Sequence, residues 1–374
     1  MAAADRPAAA WTGDAWTVRS AVRAFRRDHP EVGDDVCVGL SGGADSLALL
    51  AAAVAEFDRV TALIVDHGLQ AGSDEVARDA AAAARGLGAE AEILVVVVDK
   101  GGSGPEADAR SARYTALDGA RRSRPVLLAH TLDDQAETVL LGLGRGSGAR
   151  SLRGMADWDA PWGRPLLGVR AGETRAACRV LGLTWWDDPH NTDPTFTRVR
   201  LRHEVLPLLE DVLGGGAAEG LARTAELLGV DDDELDRRAA EAYAAAADAP
   251  RGDASRSPHV ALDTAALEAL PTAVLTRVIR RWLLAGGVAS PTYVHLTGVA
   301  ALVTDWRGQG GVAVGGVAVG GGGGAAPGGG SAGSSIGPAG RGSGSGEVRV
   351  TRLVARRRHG KVVLEMDRAS GSGS

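Results

Sequence analysis

The sequence is short of lysine. Of its 41 basic residues, only Lys100 and Lys361 are lysines, and the rest are arginines. A Walker A phosphate loop has the pattern G-x-x-x-x-G-K-S/T, and neither lysine lies in such a pattern. P-loop kinases and GTPases of that type are therefore excluded. The net charge of −6 and the pI of about 5.8 give no sign of nucleic-acid binding by the chain as a whole.

Cysteine and long apolar runs are also scarce. The two cysteines, Cys37 and Cys178, form no C-x-x-C pair, which excludes a zinc ribbon and a cysteine-bound iron–sulfur cluster. The lack of a disulfide framework fits a reducing compartment. The longest aliphatic run, 93–98, is far shorter than the roughly 20 residues of a membrane-spanning helix. Since the first residues also lack a signal-peptide pattern, we expect a soluble, cytoplasmic protein without a membrane partner.

The first 150 residues alternate between aliphatic and alanine-rich segments. The aliphatic runs predict strands buried on both faces, and the alanine-rich segments predict helices. The predicted strands are 35–40, 60–66, 92–99 and 126–130, and the predicted helices are 47–56, 74–87 and 106–122. This alternation indicates an α/β fold with a doubly wound parallel sheet. Such a sheet binds ligands beyond the carboxyl ends of its strands.

Composition divides the chain into three predicted domains. Residues 1–215 carry the α/β pattern and form a catalytic domain, and residues 216–310 are mostly helical. Residues 311–374 form a small basic β module whose predicted strands are 312–319, 347–354 and 361–365. Residues 320–346, with 14 glycines in 27 positions, are typical of a flexible insert without a fold of its own.

The clearest functional pattern is S-G-G-A-D-S, directly after the first predicted strand. It consists of Ser41, Gly42, Gly43, Ala44, Asp45 and Ser46. Paired glycines let the backbone approach an anion, and amides at the start of the following helix bind phosphate. The aspartate can hold Mg²⁺ that bridges phosphates. The alternative is an ordinary strand-to-helix turn with an N-cap residue.

Charged residues at helical spacing follow further along the chain. After the fourth predicted strand, Asp134 and Glu137 are three positions apart and share a helix face. They can hold Mg²⁺, bind an ammonium group or accept its proton, or they can simply favour the helix dipole. Arg110 and Arg113 share a face with Glu106, either beside a ligand or as an ion pair on a solvated helix.

These patterns together resemble a known family. The S-G-G-A-D-S run is similar to the pyrophosphate-binding loop of the N-type ATP pyrophosphatases, the PP-loop superfamily. Further runs, in matching order, resemble those of its tRNA(Ile)-lysidine synthetase family: V-D-H-G-L at 65–69, E-A-D-A-R-S-A-R-Y at 106–114, H-T-L-D-D-Q-A-E-T at 130–138, G-R-G-S-G at 144–148, L-R-G-M at 152–155, R-P-L-L at 164–167, D-D-P-H-N-T-D at 187–193 and F-T-R-V-R-L-R at 196–202. His190 and Val199 stand where that family usually has Ser and Asn.

The resemblance implies an ATP-dependent ligase that acts on RNA. Members of this family adenylate the C2 carbonyl oxygen of the wobble cytidine in tRNA(Ile) with a CAU anticodon. The amino group of free L-lysine then displaces AMP, and lysidine forms. The implied cofactors are ATP and Mg²⁺. The implied partners are this tRNA, lysine and a second copy of the chain, since relatives are often dimers.

The resemblance also assigns roles by position. Beyond the loop residues 41–46, the nucleotide contacts are Asp66, His67 and His130. The metal ligands are Asp45 and Asp134. Asp134 and Glu137 orient the ammonium of lysine, and one of the two helps to deprotonate the amine. Arg110 and Arg113 offset charge on the α-phosphate or hold the cytidine. The RNA contacts are Arg145, Arg198, Arg200, Arg202, Arg356, Arg357 and Arg358.

Two alternatives stay open on the sequence. Another PP-loop tRNA-modifying enzyme, such as a 2-thiolation enzyme, would use the same loop, but those that work through a cluster or a persulfide need clustered cysteines. A non-catalytic RNA-binding protein on the same scaffold would be expected to have lost Asp45 or Glu137. Release of pyrophosphate in the presence of tRNA and lysine distinguishes a catalyst from such a binding protein.

Overall fold

The computed structural model divides into two compact units, Met1–Val230 and Asp231–Ser374. It describes residues 11–68, 72–97, 105–146, 148–248, 260–318 and 350–367. The predicted glycine-rich insert, 320–346, and the side chain of Glu106 lie outside the described part. The division into three domains stays a prediction. No helix in the described ranges is long and apolar enough to cross a membrane.

The first unit is built on six strands with helices between them. The strands are β1 (Asp35–Gly39), β2 (Arg59–Asp66), β3 (Glu90–Val95), β4 (Val126–Leu127), β5 (Trp158–Asp159) and β6 (Trp162–Gly163). The helices are α1 (Gly13–Asp28), α2 (Ala44–Glu56), α3 (Ser73–Leu87), α4 (Pro105–Ala120), α5 (Leu132–Gly144), α6 (Ala149–Leu152), α7 (Ala171–Val180), α8 (Thr197–Arg200) and α9 (Leu206–Leu213). A π turn, Leu201–Val205, joins α8 to α9, and α10 (Ala217–Ala246) has residues in both units.

The strand order β3-β2-β1-β4-β6-β5 confirms the predicted parallel, doubly wound sheet. Neighbouring strands from β3 to β6 pair in parallel, and β5 pairs antiparallel with β6. The chain runs outward from β1 through β2 to β3, and then returns to the other side of β1 to form β4. The carboxyl ends of β1 and β4 therefore flank a crevice, which is the usual ligand position in such a sheet.

Both faces of the sheet are covered, as the aliphatic runs require. Val36 and Val38 pack into the core that α1, α2, α3 and α7 share, whereas Cys37 packs with Leu117 of α4 on the opposite face. This alternation follows from successive side chains pointing to opposite faces of a strand. Residues 47–53 of α2 are all buried, and most are alanine. Their small size lets the neighbouring helices pack closely around α2.

All four predicted strands are present, with different ends. The third is Glu90–Val95 rather than 92–99, and the fourth is only Val126–Leu127. The hairpin of β5 and β6 was not predicted, because strands of two residues show no hydrophobic periodicity. Helix α2 begins three residues earlier than predicted, so its first turn includes Ala44 and Asp45.

The second unit contains an antiparallel sheet in the order β7-β8-β11-β10-β9. Its elements are β7 (Ala247–Asp248), β8 (Ala261–Asp263), α11 (Thr264–Glu268), α12 (Thr272–Ala285), α13 (Tyr293–Thr304), β9 (Val312–Ala318), β10 (Val350–Arg358) and β11 (Lys361–Asp367). The predicted small β module is confirmed, and β9 pairs with β10 as expected. Trp282 of α12 lies in the core of the second unit. The indole N–H of Trp282 donates to the Val260 carbonyl at 2.6 Å.

The packing of α5 against α6 depends on a glycine. A Cβ atom on Gly142 would lie 2.5 Å from the Ser151 carbonyl oxygen, which is backbone and cannot rotate away. We expect Gly142→Ala to lower the free energy of unfolding by about 1–3 kcal/mol, measured by urea denaturation. Gly144→Ala is the matched control, because nothing described lies within 4 Å of its Cβ position. Equal stability of the two variants would contradict the close contact.

Candidate active site

A cavity of about 750 Å³ lies at the carboxyl ends of β1, β2 and β4 in the first unit. Its wall includes the loop after β1, the first turns of α2 and α5, and the segment 186–191. It brings together most of the residues that the family resemblance assigns to nucleotide, metal or substrate: Ser41, Gly43, Ala44, Asp45, Ser46, Asp66, His67, Arg113, His130 and Asp134. Arg202 lies in the same wall.

The loop between β1 and α2 has the features of an anion site. Gly42 has a φ of +83°, which L side chains rarely adopt. The Ser46 hydroxyl donates to the Gly43 carbonyl at 2.9 Å and accepts from the Ser41 amide at 3.2 Å. No side chain in the described structure caps α2 at Gly43. The first amides of α2 are therefore available to an anion, which the helix dipole also favours.

Asp45, in the first turn of α2, is a partly buried carboxylate. Its Oδ1 accepts a hydrogen bond from the Thr174 hydroxyl of α7. Burial raises the pKa of Asp45, the bond from Thr174 opposes this, and the negative charge of Asp134 raises the pKa again. The pKa lies above its ordinary value in sum. A positive charge beside Asp45 would offset both the burial and the repulsion.

Asp134 and Glu137 of α5 share one arginine. Asp134 Oδ2 accepts from the Thr131 amide and hydroxyl at 2.8 and 2.9 Å, and Oδ1 accepts from Arg202 at 2.9 Å. Glu137 is 0% exposed; its Oε1 accepts from Arg202 at 2.7 Å, and its Oε2 lies 3.6 Å from Arg198. Burial raises the pKa of Glu137 despite the attraction of Arg202. Of the two carboxylates, Asp134 is the one that lines the cavity.

Three nitrogen-bearing side chains in the wall are incompletely paired. His67 Nδ1, His130 Nδ1 and Arg113 Nε are buried and have no hydrogen-bond partner among the described residues. Burial lowers the pKa of both histidines, and the charge of Arg113 lowers it further, which favours the neutral form of each. Buried polar atoms are nearly always satisfied. These three nitrogens are therefore exceptions, and they are grouped in residues that line one cavity.

Comparisons with known proteins place the chain in a family. Residues 17–209 match the model of the PP-loop domain, and residues 262–320 match that of the TilS substrate binding domain. The tRNA(Ile)-lysidine synthase of Rhodococcus erythropolis (strain PR4 / NBRC 100887) is 60% identical over 301 residues, which cover 80% of this chain and 89% of that protein. The tRNA(Ile)-lysidine synthase of Mycobacterium tuberculosis (strain ATCC 25618 / H37Rv) is 61% identical over 299 residues, covering 80% and 90%. The chain belongs to the tRNA(Ile)-lysidine synthase family.

The family assignment also fixes the nucleotide. The PP-loop domain, which covers the whole cavity wall, implies that this tRNA(Ile)-lysidine synthase family member uses ATP.

Among solved structures, the U34-tRNA thiolase NcsA from Methanococcus maripaludis aligns with a TM-score of 0.47 at 19% identity, over 58% of this chain and 80% of that one.

Several residues that the lysidine synthetase resemblance singles out lie outside the cavity wall. Arg110 is exposed on α4, with its guanidinium carbon 5.0 Å from the centre of the Tyr114 ring. Arg145 is exposed at the end of α5. Arg200 forms an exposed ion pair with Glu204 at 2.8 Å. The cavity therefore contains Arg113 and Arg202 but not these arginines.

The three consecutive arginines of β10 already have partners inside the second unit. Arg357 donates to two carbonyls in the last turn of α13, at 3.1 and 3.0 Å. Arg356 and Arg358 both pair with Glu365 of β11. The RNA-binding role that the resemblance gives these three arginines stays a prediction. What the contacts of Arg357 show is a structural role, because its guanidinium pairs with the free carbonyls at the end of α13.

The sequence patterns singled out residues 187–193, part of which lines the cavity, but they missed the contributions of α7 and Trp186. Thr174 bonds Asp45, and Arg175 lines the cavity. The Trp186 amide donates to the Gly42 carbonyl at 3.0 Å and so supports the loop. The sequence did contain one signal for the start of α7, which is Glu173. Its carboxylate accepts a hydrogen bond from the Arg170 amide. A glutamate three residues after the residue that precedes a helix is common at helix starts.

The pairing of Arg202 with the fully buried Glu137 predicts a pH-dependent loss of stability. Without this arginine, the pKa of Glu137 rises further above its value in the unfolded chain. A carboxyl group with a raised folded-state pKa costs nothing below its unfolded pKa and destabilises as pH rises through the folded pKa. We expect Arg202→Met to lower the unfolding free energy by about 2–3 kcal/mol at pH 8 and by much less at about pH 5.

The matched control is Arg200→Met, two residues away. Its ion pair with Glu204 is solvent-exposed, so the variant should stay close to the wild type at every pH. Chemical denaturation of all three proteins across this pH range provides the measurement. A loss for Arg202→Met that does not change with pH would show that the charge of Glu137 is not what the arginine compensates.

Proposed function

We propose that the chain is an ATP-dependent ligase that joins L-lysine to C2 of the wobble cytidine of tRNA(Ile) with a CAU anticodon. The C2 carbonyl oxygen attacks the α-phosphorus of ATP, and diphosphate leaves. The lysine amine then attacks C2, and AMP leaves with that oxygen. The observation that supports this proposal is a PP-loop cavity in a chain similar to tRNA(Ile)-lysidine synthases over about nine tenths of their length.

The loop 41–46 is proposed to hold the phosphates of ATP. The first amides of α2 are available, and the Ser41 and Ser46 hydroxyls lie 3.2 Å apart at the base of the loop. Helix N-termini stabilise the charge that develops on a leaving diphosphate as well as the charge of bound phosphate. His67, His130 and Arg113 would contact the nucleotide or the cytidine from the cavity wall that they line.

Mg²⁺ is proposed to bind beside Asp45 and Asp134. The fit rests on the position of both carboxylates in the cavity wall. A cation beside Asp45 would also offset the burial and the repulsion that raise its pKa. The described residues contain no cluster of three or more metal-binding side chains, so phosphate oxygens and water would complete the coordination. When bound, the ion would neutralise phosphate charge.

The lysine amine needs a carboxylate nearby, because its free pKa of about 10.4 keeps it protonated and non-nucleophilic at neutral pH. Asp134 is the better placed of the two predicted residues, since it lines the cavity whereas Glu137 is fully buried behind Arg202. Each carboxylate oxygen can accept more than one hydrogen bond, so Asp134 can orient an ammonium while still bound to Arg202. We infer that Glu137 acts by fixing Arg202.

The cysteines support lysine ligation over thiolation. Cys37 and Cys178 are both fully buried and belong to separate cores on opposite faces of the sheet. Burial raises the pKa of Cys37 to about 11 and that of Cys178 to about 12, so neither forms a thiolate readily. A homodimer, a cytoplasmic location and RNA contacts by the predicted arginines stay predictions.

The proposal is tested by incorporation of labelled lysine into a transcript of tRNA(Ile) with a CAU anticodon, in the presence of ATP and Mg²⁺. We expect the wild type to label this transcript and not elongator tRNA(Met). Asp45→Asn should reduce the rate at least about a hundredfold, as expected when a charge beside the reacting phosphates is removed.

Asp118→Asn, an exposed aspartate on α4, is the matched control and should keep full activity. Folded wild-type protein that binds ATP but transfers no lysine would refute the ligation. In that case sulfur donors would be the next substrates to test.

A further inference from the structure

Thr174 of α7 is 0% exposed and lies where α7 packs on α2. Its hydroxyl is within hydrogen-bond distance of Asp45 Oδ1 and lies 2.8 Å from the Ala171 carbonyl of its own helix. A hydroxyl has one proton, and a carboxylate is a stronger acceptor than a backbone carbonyl. The proton is therefore donated to Asp45, a residue that lines the cavity.

Two further hydrogen bonds hold α7 against the helices that bear the acidic residues. Cys178, one turn after Thr174, donates from Sγ to the Ala44 carbonyl at 3.3 Å, at the start of α2. The Ala171 amide donates to Asp133 Oδ2 at 2.7 Å, at the start of α5. Helix α7 thus contacts the first turns of both helices. The hydroxyl of Thr174 has a fixed position from which to direct Asp45.

We propose that Thr174 is a positioning residue for the nucleotide site, whose buried hydroxyl holds Asp45 by Oδ1 and keeps Oδ2 available to the cation that accompanies ATP. Within the described part of the chain, no side chain donates to Oδ2. The inference rests on the proposed function, because the orientation of Asp45 matters to ligand binding only if the cavity takes the nucleotide.

The same bond protects the anion site from Asp45 itself. A carboxylate in the first turn of a helix can fold back onto the free backbone amides there, as capping residues do. Those amides of α2 are the ones that the phosphates need. The hydrogen bond from Thr174 holds the carboxylate of Asp45 toward α7, so this carboxylate does not occupy the free amides of α2. Loss of the hydroxyl should therefore weaken nucleotide binding through both the cation and the amides.

Calorimetric titration of the full chain with ATP and Mg²⁺ measures this effect. Thr174→Val removes the hydroxyl at nearly constant volume, and we expect the Kd to rise about tenfold or more, because hydrogen bonds to charged groups are among the stronger ones. Thr174→Ser restores the hydroxyl and should stay near the wild-type Kd. In the lysine-transfer assay, the KM for ATP should rise in the valine variant while the KM for lysine stays unchanged.

Thr264→Val is the matched control. Thr264 is also buried, at 2% exposure, and its hydroxyl donates to the Gly360 carbonyl at 2.8 Å in the second unit. The chemical change is the same, so any general cost of burying a valine in place of a threonine appears here too. The Kd for ATP with Mg²⁺ should not change in this variant.

An unchanged Kd in Thr174→Val, or equal weakening in the valine and serine variants, would overturn the inference. If the valine variant does not fold, Thr174→Ala has the same expected results. Wild-type protein that fails to bind ATP with Mg²⁺ would instead refute the proposed function. Binding by the wild type with no effect of either hydroxyl-free variant would refute only the role of Thr174.

Discussion

The acidic residues at the cavity depend on the positive charge of Arg202. Asp45 and Asp134 form the acidic wall of the cavity, and Glu137 is buried behind Arg202. Asp45, Asp134 and Glu137 lie close enough for their charges to interact, and burial raises the pKa of both Asp45 and Glu137. An unpaired charge in a buried position costs several kcal/mol. Arg202 bonds two of these carboxylates directly. The described side chains give Asp45 one hydrogen bond, from the neutral hydroxyl of Thr174. Its pKa stays above the ordinary value despite the charges of Arg175 and Arg202, so its negative charge is incompletely compensated. Such imbalance is typical of functional sites, where a bound ligand supplies the missing charge.

The position of this acidic wall follows from the order of the strands. The chain leaves β1 toward β2 and returns on the other side of β1 to form β4, so the segments after β1 and β4 meet across one crevice. Asp45 follows the first of these strands and Asp134 follows the second. Two carboxylates nearly ninety residues apart in sequence are therefore neighbours because of topology, and α7 then bonds the start of each helix that bears them.

The sequence predicted those features whose signal lies in a contiguous run of residues. Aliphatic runs marked the four strands, and S-G-G-A-D-S marked the loop, because each is a local pattern with a local physical cause. The hairpin β5–β6 was missed since two-residue strands have no periodicity, and Thr174 was missed since its role depends on a contact with a residue 129 positions away. The partner of Glu137 was missed for the same reason, because Arg202 reaches it from a distant segment.

The arginines that the resemblance assigns to RNA binding differ in how deeply their present carboxylate partners are buried. A chain with a net charge of −6 must gain RNA affinity from local groups, so an arginine is useful there only if its present bonds can be exchanged for phosphate. Arg200 pairs with Glu204 in solvent, and exposed ion pairs contribute little, so phosphate can replace that partner. Arg202 pairs with Glu137, which solvent does not reach. If Arg202 turned to a phosphate instead, a buried carboxylate would be left without its partner charge, at a high cost in free energy. Two arginines of one short segment therefore have different capacities for binding RNA, although the sequence pattern treats them alike.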